Sequence, residues 1–243
     1  MTLAIIAAGE SSRLKQEGLP GSKALVRVGG VPLIERIVQN GLRAGADRLC
    51  CIINEQSSDL KEYLRSQKYS VPLHLIVQST PSSMHSLFAL ARSLRDSPFC
   101  LAAVDTVFRE DEFKRFLAFA RAKRSADGIL AITRFIDDEK PLCVGVDEQM
   151  RVIRLGDTKE SFEWVTGGLY YFSPRIFDVI DDALRSGTIR LRNFLRLLLT
   201  HNYQLYGYPF SKMIDLDHVV DIAVAEQFLA EALRHHNKLE YDQ

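Results

Sequence analysis

The sequence predicts an α/β domain in which a mostly parallel, mixed central sheet carries a small antiparallel extension. Apolar runs of strand length alternate with helical patterns through the first half of the chain. The second half contains short apolar runs that polar turns separate, as in antiparallel strands. Neither an internal repeat nor a long linker divides the sequence. We therefore expect one domain that spans residues 1–243.

Strand and helix patterns alternate from the amino terminus onward. The candidate strands are Leu3–Ala7, Arg48–Ile53, Leu73–Val77 and Phe99–Val104. The helical patterns between them cover Pro32–Ala44, Ser57–Gln67 and His85–Arg95. Pro32 suits a first helical turn, and Gly45 follows the last turn of the same helix. The alternation predicts right-handed crossovers, so the carboxyl ends of the parallel strands meet at one edge of the sheet.

The pattern changes in the second half of the chain. The candidate strands there are Gly128–Arg134, Leu142–Val146, Arg151–Leu155, Trp164–Phe172 and Tyr203–Tyr208. Helical patterns cover Pro174–Arg185, Arg192–His201 and an amphipathic segment from about His218 to His235. Short polar turns join the first four of these strands, which form the predicted antiparallel extension.

The composition excludes several classes of protein. Lysine and arginine total 31, as do aspartate and glutamate, so the formal net charge of zero provides no bulk attraction to nucleic acid or to acidic membranes. No run approaches the roughly 20 apolar residues of a membrane-spanning helix, and the amino terminus lacks the basic segment of a signal peptide. Neither nucleic acid nor a membrane is therefore an expected partner.

The cysteines indicate a reducing compartment. They have no CxxC spacing, and most lie within apolar runs of strand length. Buried thiols are the ordinary interpretation of such positions. We therefore expect a cytoplasmic protein whose thiols are Cys50, Cys51, Cys100 and Cys143.

The loop after the first strand has the residues of an anion site. The segment Gly9-Glu10-Ser11-Ser12-Arg13 follows the strand, and Lys23 comes ten residues after Arg13. Backbone N–H groups in such a loop point at anionic oxygens, and two cations offset the charge of a polyphosphate. Because Gly9 stands alone in the loop, a dinucleotide-binding oxidoreductase is poorly supported, and no Walker motif occurs. A plain strand-to-loop turn is the alternative.

With later segments, this loop resembles the signature of nucleotidyltransferases that join a nucleotide to a phosphorylated acceptor. Its first parts are Ala7-Ala8-Gly9-Glu10-Ser11-Ser12-Arg13-Leu14, Lys23 and Gly30-Val31-Pro32-Leu33-Ile34. Ser11 replaces the commoner second glycine, as in the branch similar to molybdenum-cofactor nucleotidyltransferases. Weaker matches follow in the family's order at Val77-Gln78, Ala102 to Asp105, Thr166 to Pro174, and Lys212 to Asp221. In the last of these, Met213 replaces a tryptophan, and His218-Val219 replaces Thr-Pro.

The resemblance implies a fold, a reaction and a set of site residues. The fold is a Rossmann-like, three-layer α/β/α fold of the glycosyltransferase-A-like type. The reaction moves a nucleoside monophosphate from an NTP to the acceptor and releases pyrophosphate. Lys23 contacts the α-phosphate, Arg13 binds the leaving pyrophosphate, and Mg²⁺ is bound by Asp105 with Asp215 or, alternatively, Asp217. The nucleotide is bound by Ala7, Ala8, Gly9, Glu10, Ser11, Ser12, Gln78 and Gly167.

Several of these residues also have structural interpretations. Asp105 follows a strand and suits a helix cap or a turn, and either Asp215 or Asp217 suits the cap of the last helix. Lys159 is either the acceptor-phosphate lysine of sugar-phosphate members or a surface lysine. The histidines are scattered without the spacing of a metal site.

Three acceptor and activity hypotheses remain open at the level of sequence. The resemblance of Thr166 to Pro174 and of the Asp215 region favours a sugar 1-phosphate acceptor. The stretch Pro81 to Arg92 is similar to phosphocholine cytidylyltransferases, so phosphocholine or another phospho-alcohol is the alternative. A choline head would need an aromatic cage, for which the candidates are Trp164, Tyr170 and Tyr171. A regulatory homologue that binds a nucleotide without catalysis is the third.

Overall fold

The computed structural model of the protein describes residues 1–9, 12–135, 141–158 and 162–241, with side chains for these residues except Ser12 and residues 232–241. The strands are β1 (Thr2–Ala7), β2 (Arg27–Val28), β3 (Val31–Pro32), β4 (Arg48–Ile53), β5 (Leu73–Val77), β6 (Phe99–Ala103), β7 (Thr106–Val107), β8 (Gly128–Thr133), β9 (Cys143–Val146), β10 (Val152–Gly156), β11 (Trp164–Phe172), β12 (Leu205–Phe210) and β13 (Ile214–Asp215). The helices are α1 (Ser12–Gln16), α2 (Leu33–Arg43), α3 (Ser58–Ser66), α4 (Ser83–Leu94), α5 (Glu110–Ala122), α6 (Ile180–Arg185), α7 (Leu191–Thr200) and α8 (Val219–Tyr241). Short 3₁₀ helices cover Lys23–Leu25 and Pro174–Val179.

A mixed sheet forms the centre of the molecule. Its strands follow the order β12-β8-β11-β6-β1-β4-β5. β1 pairs in parallel with β4 and β6, and β4 pairs in parallel with β5. β11 runs antiparallel to β6, β8 and β9, and β10 extends the sheet beyond β9. The parallel strands and the antiparallel extension therefore agree with the sequence prediction.

Helices cover both faces of this sheet. In β1, Leu3 and Ile5 face one side, where they join the core that α2, α3 and α5 cover. Ala4 faces the other side, with the core that α4, α6 and α7 cover. Strands with two apolar faces are typical of buried parallel sheets. The three-layer α/β/α fold that the resemblance implied is thus confirmed.

A third apolar cluster closes the sheet at the edge where the parallel strands end. It joins α1 and α8 to the short antiparallel ribbon of β7 and β13 through Leu14, Val107, Ile214, Leu216 and Phe228. In this ribbon Ile214 pairs with Val107, and Asp215 pairs with Thr106. The ribbon brings the segment before the last helix against the segment after β6, although more than 100 residues separate them in sequence.

Several elements differ from the sequence-based expectation. Helix α5 was not predicted, although its acidic first turn, Glu110-Asp111-Glu112, suits the start of a helix. Its buried residues Phe113, Phe116 and Leu117 also have helical spacing. The short strands β7 and β13 were not predicted either. Strand β12 begins at Leu205 rather than Tyr203, and it pairs in parallel with β8.

The cysteines and the helices bear on two further expectations. Cys50, Cys51, Cys100 and Cys143 are all buried thiols, as predicted. Burial raises the pKa of Cys51 to about 12, so this thiol is not reactive at neutral pH. Across residues 1–9, 12–135, 141–158 and 162–241, no helix has the length and apolar character needed to cross a membrane.

Candidate active site

The predicted anion loop lies at the carboxyl end of β1. Ala7 ends this strand, and Ala7, Ala8 and Gly9 line a cavity at the edge of the sheet. A Cβ atom added at Gly9 would meet no atom within 4 Å, so packing within the protein does not require a glycine here. A glycine at this position leaves the backbone accessible from the cavity. Glu10, Ser11 and the side chain of Ser12 lie outside the described residues.

Lys23 joins two of the predicted metal carboxylates. Its Nζ donates hydrogen bonds to Asp105 Oδ2 at 2.8 Å and to Asp217 Oδ1 at 2.7 Å. Arg13 contacts the other carboxylate oxygen of Asp217. Four residues that the sequence predicted to act on phosphate or metal are therefore in one ion-pair network.

Each carboxylate of this network is positioned by backbone hydrogen bonds. Asp105 lies in the turn between β6 and β7, and its carbonyl accepts a hydrogen bond from Leu216 N at 3.0 Å. At the start of α8, the Asp221 carboxylate accepts hydrogen bonds from the N–H groups of Asp217 at 2.8 Å and His218 at 2.6 Å. Asp221 therefore holds the residues that precede the first turn, as the third residue of a capping box does. The cap function that the sequence left open for Asp215 or Asp217 belongs to Asp221.

The network is electrostatically self-consistent. Burial alone would lower the pKa of Lys23, but the charges and hydrogen bonds of Asp105 and Asp217 raise it above its ordinary value. Burial alone would raise the pKa of Asp217, but Lys23 and Arg13 bring it below its ordinary value. Lysine is thus charged and Asp217 ionised at neutral pH.

A cavity of about 540 Å³ extends from this network along the ends of β1, β4 and β6. Ala8, Gly9, Lys23 and Asp105 line its inner end. Polar side chains line much of the rest: Ser22, Asn54, Gln56, Ser79, Thr80, Ser82, Ser83 and Ser86. Gln78, which the sequence predicted to contact the base, is exposed beyond β5 and does not line this cavity. Its backbone N–H donates a hydrogen bond to Ile53 O at 2.9 Å.

A second cavity of about 250 Å³ adjoins the first. Both cavities are lined by Ile6, Ser83, Ala103 and Asp105. The second is otherwise lined by residues from several elements: Leu101, Leu142, Thr166, Gly168, Tyr170, Leu191, Arg192 and Asp215. Asp105 therefore stands at the junction of two spaces, one of them reaching Lys23 and the other reaching Arg192 and Asp215.

The two glycines of the predicted acceptor-side strand have different surroundings. Gly167 packs against Met213, since an added Cβ would lie 2.3 Å from the Met213 sulfur. Gly168, which lines the second cavity, has a φ of +70°, and a Cβ there would lie 2.3 Å from Thr106 Oγ1. The close approach of β11 to β7 thus requires Gly168, whereas sequence reasoning selected Gly167.

Sequence reasoning missed most of the polar residues that line these cavities, among them Asn54 and Arg192. Asn54 directly follows β4, and its position at the carboxyl end of a parallel strand could have indicated a place beside the ligand. Arg192 lies in the first turn of α7, and nothing in the local sequence distinguishes it from a surface arginine. Lys159 lies outside the described residues.

Lys23 and Asp105 line the larger cavity beside Gly9, and Asp217 and Arg13 extend their ion-pair network. The chain belongs to the family of MobA-like NTP transferase domains, whose model matches residues 3–201. This assignment agrees with the resemblance that the loop motif carried.

Individual proteins are also similar to this chain. The low-salt glycan biosynthesis nucleotidyltransferase Agl11 of Haloferax volcanii is 23% identical over 208 residues, which are 83% of this chain and 58% of that protein. Among solved structures, an inositol-1-phosphate CTP transferase from T. maritima aligns with a TM-score of 0.78 and 18% identity, covering 90% of each chain. A protein named as a glucose-1-phosphate thymidylyltransferase from Bacillus anthracis aligns with a TM-score of 0.79 and 18% identity, covering 94% of this chain and 95% of its own. At these identities the structural matches establish the fold.

Proposed function

We propose that this protein is an Mg²⁺-dependent nucleotidyltransferase that converts an NTP and a sugar 1-phosphate into a nucleoside-diphosphate sugar and pyrophosphate. The observation that carries the proposal is the junction of the two cavities at Asp105. The larger cavity, with the Gly9 loop and Lys23, takes the NTP, and the smaller one takes the acceptor. Their shared wall is where the α-phosphate and the acceptor phosphate would meet.

The described carboxylates suit a magnesium ion. Asp105 and Asp217 each place an oxygen within 2.8 Å of the same nitrogen, so the pair already shares one cation. Mg²⁺ is commonly held by one or two carboxylates together with substrate phosphates and water. Asp105 and Asp217 would hold the ion, which when bound would offset the negative charge of the phosphates. Of the two predicted second ligands, Asp217 is therefore the one we propose.

The reaction requires two anions to approach each other. An oxygen of the acceptor phosphate attacks the α-phosphorus, a new P–O bond forms, and the bond to the bridging oxygen of pyrophosphate breaks. Lys23 stabilises the α-phosphate as a compact charge, and the Arg13 guanidinium binds the departing pyrophosphate. The acceptor phosphate is already an anion, so no general base is needed. Catalysis then depends on position and on charge.

A phosphorylated polyol fits the smaller cavity better than phosphocholine. An aromatic cage needs several rings around one point. Here the Arg134 guanidinium covers the Trp164 ring, Tyr170 stacks on Phe172, and Tyr171 belongs to the opposite face of the sheet. Arg192 instead offers a cation for a phosphate. The names of the related proteins, which include a glycan biosynthesis enzyme and transferases for inositol 1-phosphate and glucose 1-phosphate, also support such an acceptor.

Pyrophosphate release tests the proposal. The assay combines Mg²⁺, each of the four NTPs and an acceptor panel of sugar 1-phosphates, inositol 1-phosphate and phosphocholine. We expect release that needs one NTP, one polyol phosphate and Mg²⁺. Asp105→Asn should lower kcat about 100-fold or more, because charge stabilisation is lost where the phosphates meet. Asp111→Asn, at an exposed carboxylate on α5, should leave kcat unchanged.

Other outcomes separate the alternatives. Tight NTP binding without release for any acceptor would indicate the regulatory homologue. Pyrophosphate release with phosphocholine alone would show that the acceptor is a phospho-alcohol and not a sugar 1-phosphate. Absence of NTP binding would show that the Gly9 loop is not a nucleotide site.

The buried thiols also lead us to propose the cytoplasm as the compartment, which localisation of a tagged chain would test.

A further inference from the structure

The two carboxylates at the end of the β7–β13 ribbon point to different spaces. Asp217 contacts Lys23 and Arg13, whereas Asp215 lines the second cavity together with Arg192. A tight turn produces this difference, since Asp217 N donates to Asp215 O at 3.1 Å. In an extended strand, residues two apart would face the same side. The chain bends at this point and separates the two side chains.

Hydroxyl groups and charged groups surround Asp215 in the second cavity. Thr166, Ser83 and Tyr170 contribute hydroxyls to this lining. Asp215 is partly buried on β13, where its backbone pairs with Thr106. A carboxylate only accepts hydrogen bonds when ionised, so its natural ligands in such a cavity are the O–H donors of a polyol. An acceptor that lacks hydroxyls would forgo this charge-assisted hydrogen bond, which costs affinity.

We propose that Asp215 is a specificity-determining residue that accepts a hydrogen bond from a hydroxyl of the acceptor, and that it is not the second metal ligand. The inference rests on the proposed function and refines it, because it assigns one carboxylate of the sequence motif to the acceptor and the other to the cation. Acceptors with a hydroxyl near their phosphate are then preferred over alkyl phosphates and phosphocholine.

Paired variants separate the two assignments. Asp215→Asn and Asp217→Asn are compared for Mn²⁺ binding in the presence of NTP, measured by electron paramagnetic resonance without any acceptor. We expect Asp215→Asn to bind Mn²⁺ as the wild type does, and Asp217→Asn to bind it about tenfold or more weakly, since a charged ligand is lost. Equal weakening by both variants would overturn the inference.

Acceptor kinetics test the hydroxyl contact directly. Pyrophosphate release is measured with the preferred sugar 1-phosphate and with analogues that each lack one hydroxyl. For wild type, removing the hydroxyl that Asp215 binds should lower kcat/KM about 10- to 100-fold, as expected for a hydrogen bond to a charged group. In Asp215→Asn, removing the same hydroxyl should lower kcat/KM much less. The KM for NTP should stay within about twofold of the wild-type value. Equal penalties in both proteins at every position would overturn the inference.

Two further results keep this test decisive. If Asp215→Asn does not fold, the wild-type series alone suffices, because an acceptor whose hydroxyls can all be removed without penalty contradicts the inference. If Mn²⁺ and NTP bind but no acceptor reacts, calorimetric binding of glucose 1-phosphate to the loaded protein replaces kinetics. Unchanged binding in Asp215→Asn then overturns the inference. Absence of NTP binding in wild type would instead contradict the proposed function itself.

Discussion

At the scale of single residues, Lys23 carries the most consequential contacts of the site. It neutralises Asp105 and Asp217, which would otherwise repel each other. Under the proposed function a divalent cation would bind the same two carboxylates. The Lys23 ammonium and the metal ion would then compete for them until a nucleotide provides phosphate for the lysine.

This competition leads to a prediction for Lys23→Met. Without nucleotide, the variant should bind Mn²⁺ more tightly than wild type, by about tenfold, since a competing charge in a partly buried site is removed. With NTP and acceptor, turnover should fall by about 100-fold or more, because the α-phosphate loses its cation. Titration of Mn²⁺ by paramagnetic resonance and pyrophosphate release measure the two effects. Lys15→Met, in the exposed part of α1, is the matched control. Weaker Mn²⁺ binding in Lys23→Met would contradict the competition.

At Gly168, packing against a neighbouring strand explains why the residue is a glycine. Gly168 and Gly18 both have positive φ, of +70° and +88°, but only Gly168 has an atom within 4 Å of its added Cβ. Gly18→Ala should lower the free energy of unfolding by about 1 kcal/mol, from backbone strain alone. Gly168→Ala should lower it by about 2 kcal/mol more, because Thr106 must also move. Urea unfolding of both variants measures the difference, and equal losses would show that β11 and β7 tolerate a Cβ.

The sequence predicted some of these residues and not others. Gly9, Arg13 and Lys23 are close in the chain, so their local pattern indicates an anion site. Asp215 and Asp217 have the same chemistry and lie two residues apart, so no sequence pattern separates their functions. The turn at Asp217 separates the two side chains in three dimensions.

At the scale of elements, the amino-terminal end of α8 determines where Asp217 points. Asp221 accepts both backbone N–H groups of the preceding residues and is nine-tenths buried. Glu17, which directly follows α1, also accepts the Val219 N–H at 2.7 Å and contacts His218. The last helix is thereby fixed to the segment that contains Arg13.

Removal of the Asp221 cap should affect activity, although Asp221 itself does not contact the substrate. Asp221→Ala should lower the free energy of unfolding by about 1 kcal/mol, as for other caps. It should also weaken Mn²⁺ binding in the presence of NTP, because Asp217 is no longer held. Asp221→Asn retains an oxygen acceptor, so it should recover much of the stability and much of the Mn²⁺ binding. Chemical unfolding and paramagnetic resonance provide the two readouts, and normal Mn²⁺ binding in Asp221→Ala would contradict a positioning role.

The elements that sequence reasoning placed correctly are those with local signals. The crossovers between β1, β4 and β5 follow from alternating apolar runs and helical patterns. Helix α5 is an exception, because it was missed although its acidic first turn and the apolar spacing from Phe113 are both local helix signals. The antiparallel insertion of β11 between β6 and β8 depends on pairing across the sheet, which a strand pattern does not specify.

At the scale of the whole molecule, ionised carboxylates connect stability to pH. The pKa of Asp217 lies below its ordinary value, so its ion pairs stabilise the fold above that ordinary value and are lost as pH falls through the lowered one. The free energy of unfolding of the wild type should therefore decrease as pH falls below about 4. Asp217→Asn and Lys23→Met should both show a smaller decrease, since each removes the shift. Urea unfolding between pH 6 and 3 tests this, and an unchanged slope in both variants would contradict it.

The central claim concerns the fate of the α-phosphorus. The most direct measurement uses an NTP labelled with ³³P at the α-position and separates the products after incubation with Mg²⁺ and a sugar 1-phosphate. We predict that the label appears in a nucleoside-diphosphate sugar only when the acceptor is present, with one pyrophosphate released for each product formed. Label in free nucleoside monophosphate, or formed equally without acceptor, would show hydrolysis and contradict transfer between the two cavities.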